Sequence, residues 1–213
     1  MAAGHDEDAA LMLRVQRGDL AAFEILVENY RQPVFNFVQR TIRNLDDTDD
    51  LAQQVFIQAW KAADRYRATA RFSTWLFTIA RNLCLNELRR RGRHPTEPLD
   101  APLETEDGPR PRELPGSDPA PVTGDVLLGE LEARIEEALA DLLEVQRSAI
   151  LLFRDQDLPY DEIARILGVS VSATKSLIHR GRETLKLRLK AYLRSGAWEP
   201  ASKPAATFPR TRV

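Results

Sequence analysis

The residues of this chain best suited to chemistry are long hydrogen-bond donors grouped near its C-terminal end. Within residues 174–194, seven Lys and Arg residues stand against a single acidic residue. The outer face of the helix predicted there carries five side chains able to reach phosphates and purine edges: Lys175, Ser176, His179, Arg180 and Arg182. An Arg-rich solvated helix at the end of a bundle is the simpler alternative, but its charges usually alternate in sign. The one-signed surface therefore predicts binding to DNA.

The segments around these donors have the periodicity of a helix-turn-helix. Apolar residues at helical spacing end at Leu167, and Gly168 follows, the residue type that most easily adopts the left-handed conformation that closes a helix. Ser170 or Ser172 can then cap a second helix, which carries the donors. Because such motifs place their second helix in the major groove, residues 158–189 predict a DNA-binding element.

A second basic region lies between residues 65 and 93, where eight Arg residues stand against one acidic residue. The last 22 of these residues, FSTWLFTIARNLCLNELRRRGR, read as one long helix. One side of this helix aligns Asn82, Asn86 and Arg89 at spacings of three and four residues. An Asn amide can both donate to and accept from a base edge. Two exposed Asn residues on a surface helix would explain the pattern equally well.

The loop before this helix, residues 66–71 with the sequence YRATAR, combines an aromatic ring with cations. Tyr66 and Arg71 at its two ends could hold an extruded base, because aromatic rings stack on bases. Tyr66 could instead be an ordinary core residue. Arg90, near the end of the following helix, adds another cation to the same region.

A third surface is predicted on the helix of residues 46–60. Its apolar face suits a core, whereas its other face carries uncharged and acidic side chains: Asp50, Gln53, Gln54 and Ile57. Glutamines around an isoleucine can be covered by a partner at modest desolvation cost. Plain solvent exposure is the alternative, since single surface isoleucines are common.

Composition narrows the classes of function. The net charge of −2 means that contact with nucleic acid must depend on local basic patches. A single cysteine, Cys84, excludes a disulfide framework, and three His residues without a CxxC pair predict neither a metal site nor a cofactor. Cys84 is expected in the core. With no apolar run of about 18 residues and an acidic N-terminus, we expect a cytoplasmic protein.

The linear organisation predicts an all-α fold of two small helical domains. Eight of the 13 prolines lie between residues 95 and 121, in an acidic stretch that cannot bury a core. We expect domains at residues 8–93 and 126–194, a flexible linker at 94–125 and a disordered tail at 195–213. The acidic residues crowd into that linker and not beside a basic groove, so a nuclease, and an enzyme in general, is not expected.

These segments together resemble the sigma factors of bacterial RNA polymerase, specifically the extracytoplasmic-function (ECF) group of the sigma-70 family. The resemblance rests on DDLAQQVFIQAW, on FSTWLFTIARNLCLNELRRRGR and on the helix-turn-helix, in this order. It implies an N-terminal bundle of sigma-2 type and a C-terminal helix-turn-helix of sigma-4 type. Gln54 stands where the family usually has Glu, and Leu177 stands where an Arg is common.

The resemblance also implies partners and roles. Core RNA polymerase, through its beta-prime clamp helices and beta flap, promoter DNA and an anti-sigma factor are the implied partners, with nucleoid association when bound to polymerase. It assigns polymerase contact to Asp50, Gln53, Gln54 and Ile57. It assigns the minus-10 element to Tyr66, Arg71, Asn82, Asn86, Arg89 and Arg90. It assigns the minus-35 element to Lys175, Ser176, His179, Arg180 and Arg182. The alternative function is a helix-turn-helix regulator that binds DNA without polymerase.

Overall fold

The computed structural model describes residues 3–44, 46–93 and 124–195, and the regular structure in these ranges is helical. Its elements are α1 (Ala3–Val15), α2 (Leu20–Ile42), α3 (Thr48–Lys61), a single 3-10 turn (Ala63–Arg65), α4 (Phe72–Arg93), α5 (Gly124–Ala140), α6 (Glu144–Asp155), α7 (Tyr160–Leu167) and α8 (Val171–Ser195). The expected all-α fold is confirmed. The expected linker lies outside the described residues apart from its last two, and the expected tail lies outside them apart from Ser195.

Local capping sets the ends of the N-terminal helices. The chain turns at Gly18 with φ of +89°, and the Asp19 carboxylate then accepts a hydrogen bond from the Ala22 amide at 3.1 Å, which caps α2. Arg43 closes α2 in the left-handed conformation, with φ of 56°. The helix continues through Pro33, which cannot donate a backbone bond.

Helices α1 to α4 enclose an aromatic and aliphatic core. Its largest fully buried side chains include Met12, Leu26, Phe72 and Phe77. Cys84 lies in this core and is fully buried, and burial raises the pKa of its thiol to about 12. The thiolate needed for redox chemistry is therefore strongly disfavoured, and Cys84 is a packing residue, as its apolar neighbours predict.

Helices α5 to α8 form the C-terminal half, in which α7 and α8 make the helix-turn-helix. Gly168 occupies the left-handed conformation, with φ of 68°, and the Ser170 hydroxyl accepts a hydrogen bond from the Ala173 amide at 3.1 Å to cap α8. Ile163 and Leu167 of α7 and Ile178 of α8 are buried against each other's helices. The motif predicted from the sequence is confirmed, with Ser170 as the cap.

The two halves also contact each other, which the sequence does not predict. Helix α4 packs on α7, and α2 packs on α6. Arg40 of α2 forms ion pairs of 2.8 Å with Glu136 of α5 and 2.7 Å with Asp155 of α6. The buried Arg147 of α6 donates to the Thr41 carbonyl of α2 at 3.1 Å. The described residues therefore form a closed arrangement, in which the C-terminal half covers part of the N-terminal half.

Candidate nucleic-acid and polymerase-binding surfaces

The five predicted minus-35 residues all lie on α8, and all five are exposed: Lys175, Ser176, His179, Arg180 and Arg182. Because the buried stripe of α8 contains Thr174 and Ile178, these neighbours must project from the other sides of the helix. The Ser176 hydroxyl donates to the Ser172 carbonyl at 3.1 Å, which leaves its oxygen free to accept. The structure thus brings the expected donors together on one helix.

Two of these cations lie over aromatic rings. Lys175 Nζ is 5.7 Å from the centre of the Tyr160 ring, and Arg182 Cζ is 4.7 Å from the centre of the Phe153 ring. The two rings stack on each other, with centres 5.2 Å apart and planes 20° apart. Within residues 124–195, neither cation forms an ion pair, and neither does Arg180. No carboxylate in the described part of the chain therefore pairs with these three cations.

Part of the predicted minus-10 surface is open in the same way. Asn82, Asn86 and Arg89 are exposed along one side of α4, and the Arg89 guanidinium donates to the Asn86 side-chain oxygen at 3.3 Å. The helix runs from Phe72 through Gly92 to Arg93, the span that the sequence predicts. The exposed amides and guanidinium form a continuous row of hydrogen-bonding groups.

Other cations at the end of α4 are held by carboxylates. Arg90 and Arg91 each bind Glu87 at 2.7 Å, and Arg91 also binds Asp47 at 2.5 Å. Hydrogen bonds from Arg90, which has the largest effect, and from Arg91 lower the pKa of the Glu87 carboxyl to about 2. Arg90 keeps 64% of its side-chain surface exposed, so its guanidinium remains accessible although it is paired.

Two basic residues, one just before α4 and one in its middle, face carboxylates of the C-terminal half. Arg71 Nε lies 2.9 Å from Glu162 Oε1, and the Thr74 hydroxyl donates to the other Glu162 oxygen. Glu162 belongs to α7 and is almost fully buried in this contact. Arg81 lies 3.7 Å from Glu144 of α6. In the closed arrangement, Arg71 and Arg81 each lie beside a carboxylate of the C-terminal half.

The role expected for Tyr66 in DNA binding needs correction. Its ring is only 1% exposed, with ring centres 5.2 Å from Trp75 and 6.2 Å from Phe72 in edge-on contacts. Burial also raises the pKa of its hydroxyl. The ring belongs to the core, so it presents no face on which an extruded base could stack. This is the alternative that the sequence had left open.

The surface expected to contact polymerase borders a groove between α2 and α3. Asp50 and Gln53 of α3 line this groove, which has a volume of about 370 Å³. Its remaining lining is mostly apolar and comes from both helices: Val27, Arg31, Phe35, Asp49, Ala52 and Phe56. Gln54 is exposed and Ile57 is half-buried, and neither lines the groove. Sequence reasoning missed the α2 side because those residues lie on the preceding helix, and only packing brings that helix beside α3.

Two further properties concern the described part of the chain alone. Among residues 3–44, 46–93 and 124–195, no three His, Cys, Asp or Glu side chains are grouped as metal ligands would be. In the same ranges, no helix combines the length and the apolar character that crossing a membrane requires.

Comparison with known proteins places both halves. Residues 26–94 match the family model for Sigma-70 region 2, and residues 132–185 match the model for Sigma-70 region 4. The RNA polymerase sigma-H factor of Pseudomonas aeruginosa is 31% identical over 195 residues, covering 89% of this chain and 97% of the relative. The ECF RNA polymerase sigma-E factor of Escherichia coli K12 is 35% identical over 191 residues, covering 88% and 96%.

A solved structure shares the fold. The sigma factor RpoE from Bartonella quintana, crystallised with the anti-sigma factor NepR, superposes with a TM-score of 0.60 at 25% identity. The superposition covers 79% of this chain and 96% of that one. Sequence motifs, helical architecture and relatives that match over most of their length thus agree, and the chain belongs to the ECF group of the sigma-70 family of RNA polymerase sigma factors.

Proposed function

We propose that this chain binds core RNA polymerase and directs it to start transcription at promoters defined by a minus-10 and a minus-35 element. Membership of the family supports the general function. The observation that carries the division of labour is the exposed face of α8, whose cations keep their full charge on a helix-turn-helix. The protein acts as a recognition subunit, and the chemistry of RNA synthesis belongs to the polymerase.

The C-terminal half binds the minus-35 duplex through α8. Lys175, Arg180 and Arg182 neutralise phosphates, while Ser176 and His179 are placed to reach base edges in the major groove. Phosphate contacts supply affinity and orientation, whereas the edge contacts supply sequence preference. Support comes from the joint exposure of all five side chains on one helix.

The N-terminal half binds the minus-10 element through α4. The row of Asn82, Asn86 and Arg89 offers amides that can read bases and a guanidinium that can bind phosphate. Arg71 and Arg90 reach DNA by exchanging their carboxylate partners for phosphates, since both are ion-paired in the closed arrangement. For Arg71, this exchange requires α7 to move away from α4, because its partner is Glu162.

Core polymerase binds the groove between α2 and α3. Asp50 and Gln53 border an apolar floor that contains Phe35 and Phe56, a combination suited to a partner helix with apolar and basic side chains. Gln54 and Ile57 extend this contact on the outer face of α3. On this basis, the clamp helices of the beta-prime subunit are the proposed partner, with the beta flap contacting the C-terminal half.

The boundaries and further partners complete the proposal. We place the polymerase and minus-10 domain at residues 8–93, a connecting segment at 94–125, the minus-35 domain at 126–194 and a tail at 195–213. An anti-sigma factor is the proposed regulator, because the similar Bartonella protein is solved with one. A protein with these partners works in the bacterial cytoplasm and on the nucleoid when bound to polymerase.

The test is transcription in vitro with core polymerase, with and without the chain, on a pool of promoter fragments. We expect chain-dependent transcripts whose start sites share two spaced sequence elements. Failure of the chain to associate with core polymerase, or to start any transcript, would overturn the proposal. The alternative, a regulator that binds DNA alone, predicts tight sequence-specific binding without polymerase and no transcripts from core enzyme.

Variants separate the two DNA surfaces. Asn86→Ala should change the minus-10 sequence selected from the pool without weakening core binding, whereas Asn29→Ala, exposed on α2, should change neither. Arg180→Ala should weaken duplex binding and reduce its dependence on salt by about one phosphate contact. The matched control is Arg165→Ala, which removes an exposed Arg that pairs with Asp161 on α7.

A further inference from the structure

The stacked pair of aromatic rings beside α8 contacts the two cations that the sequence predicts will meet DNA. Phe153 lies in the last turn of α6 and Tyr160 begins α7, and both rings are half-buried against the core of the C-terminal half. Lys175 and Arg182 lie seven residues apart on α8, which places them about two turns apart on one side of the helix. Each ring of the stack therefore contacts one of the two cations, Tyr160 contacting Lys175 and Phe153 contacting Arg182.

We propose that Phe153 and Tyr160 are positioning residues for duplex binding, which hold Lys175 and Arg182 extended from α8 in the orientation that meets the phosphates. This inference rests on the proposed function of α8. The rings themselves do not touch the DNA. They act through the cations, whose charge then contacts the backbone on either side of the major groove.

An aromatic partner suits this task better than a carboxylate. The face of a ring attracts a cation through its quadrupole and restricts its rotamers, but it leaves the full positive charge available to a phosphate. A carboxylate would also restrict the cation, yet it would neutralise that charge and compete with DNA. The end of α4 shows the contrast, because Arg90 and Arg91 there share Glu87. On α8, Lys175 and Arg182 have rings as partners and no ion pair among the described residues.

Long side chains lose rotamer freedom when they bind a fixed phosphate, and this loss weakens binding. If the rings already restrict Lys175 and Arg182 in the free protein, these side chains lose less rotamer freedom when DNA binds. Removing a ring should therefore reduce affinity without changing the number of phosphates contacted. This separates a positioning residue from a contacting one, because removal of a contacting cation also lowers the salt dependence.

The experiment uses the full chain and a fluorescently labelled DNA duplex of mixed sequence, with binding followed by anisotropy over a series of salt concentrations. Phosphate contacts do not depend on sequence, so the promoter need not be known. Phe153→Leu keeps an apolar side chain but removes the ring. We expect binding to weaken about 2- to 5-fold, the size of an exposed cation–π contact, with an unchanged salt slope. Arg182→Ala should weaken binding and also lower the slope.

A double-mutant cycle decides whether Phe153 acts through Arg182. In the Arg182→Ala background, Phe153→Leu should have no further effect, because the cation that the ring positions is already gone. Equal loss in both backgrounds would show a general structural role and would overturn the inference. Wild-type affinity for Phe153→Leu would overturn it as well.

Tyr160 provides a second test if Phe153→Leu fails to fold. Tyr160→Phe retains the ring and should bind as the wild type does, whereas Tyr160→Leu should weaken binding about 2- to 5-fold. Equal affinities of these two variants would contradict the inference. Thermal unfolding followed by circular dichroism confirms that each variant is folded. If the wild-type chain bound no duplex at any salt concentration, the proposed function of α8 would fail together with the inference. If it bound but the ring variants had no effect, the inference alone would fail.

Discussion

Replacement of Arg147 by Met tests how the two halves are held together. Arg147 is 8% exposed, and its guanidinium donates to four backbone carbonyls: Leu139 at 2.9 Å, Ala140 at 3.0 Å, Leu142 at 2.9 Å and Thr41 at 3.1 Å. The Leu139 and Ala140 carbonyls lie at the end of α5, and the last carbonyls of a helix have no acceptor role within it. The Thr41 carbonyl belongs to α2 in the other half. A single side chain thus closes one helix and links it to the N-terminal half.

The expected loss follows from these bonds. Four hydrogen bonds from a charged donor, at about 1.5 kcal/mol each, total about 6 kcal/mol. Desolvation of the buried guanidinium offsets part of this stabilisation, and it is also the main cause of the lowered pKa of Arg147. Some of the freed carbonyls at the end of α5 can also regain water. We therefore expect Arg147→Met to reduce the free energy of unfolding by about 3 to 5 kcal/mol, out of a total of about 5 to 15 kcal/mol for a typical domain.

The assay is urea unfolding of the full chain, followed by far-ultraviolet circular dichroism. With a slope of about 2 kcal/mol per molar urea, a loss of about 4 kcal/mol lowers the midpoint by about 2 M. Arg154→Met on the same helix is the control, because that side chain is 62% exposed and its contact with Asp155 is 3.7 Å. We expect a change of at most about 0.5 kcal/mol there.

A conservative variant sharpens this test. Arg147→Lys keeps the charge but replaces the planar fork by one ammonium, which cannot reach all four carbonyls at once. It should therefore lose nearly as much stability as Arg147→Met. If Arg147→Met shifted the midpoint no further than the Arg154 control does, the assignment of Arg147 as the link between the halves would be refuted.

Four further variants probe the contact between the halves, two glycine positions and one ion pair. Glu162→Gln removes the charge that holds Arg71 and Thr74, so it should weaken the contact between the halves by about 1 to 2 kcal/mol and strengthen the binding of labelled single-stranded DNA, measured by anisotropy. Gly168→Ala should destabilise the chain by about 1 to 2 kcal/mol in urea unfolding, because φ of 68° strains a residue with a Cβ. Gly92→Ala, with nothing within 4 Å of the added Cβ, should be neutral or stabilising. Folding lowers the pKa of Glu87 to about 2, so its ionised carboxylate stabilises the folded state above pH 4.5, and this stabilisation disappears as pH falls from 4.5 to about 2. Glu87→Gln should therefore reduce the free energy of unfolding above pH 4.5 and make it depend less on pH between 4.5 and about 2.

A carboxylate on the surface of α2 provides a control for the two Glu variants. Glu28→Gln removes a charge from α2 where the side chain is 74% exposed, and it should alter neither DNA binding nor acid stability. Unchanged affinity for single-stranded DNA in Glu162→Gln would show that this carboxylate does not shield α4. Equal stability of the two Gly variants would contradict the left-handed turn. An acid-unfolding profile of Glu87→Gln that matches the wild type would contradict the proposed strength of its Arg contacts.

Features that depend on neighbouring residues were predictable from the sequence. The span of α4, the cap at Asp19 and the left-handed Gly168 follow from periodicity and capping, which act within a few residues along the chain. The same periodicity predicted the exposure of Asn82, Asn86 and Arg89 on one side of α4.

Features that depend on distant residues required the tertiary structure. Whether the Tyr66 ring faces bases or the core depends on Trp75, Phe72 and the rest of an aromatic cluster, and its residue type suits either environment. The groove between α2 and α3 is a further case, since only packing brings Phe35 of α2 beside Gln53 of α3.

The pairing of Lys and Arg residues shows most clearly what the sequence alone cannot predict. The sequence alone determined two cationic helices, because counting residues along a helix requires no knowledge of their partners. Tertiary structure decided which cations are paired with carboxylates: Glu162, 88 residues from Thr74, folds back onto the start of α4, whereas aromatic rings flank Lys175 and Arg182. Electrostatic partners are chosen by distance in space, and a chain of helices can bring very different residues to the same cation.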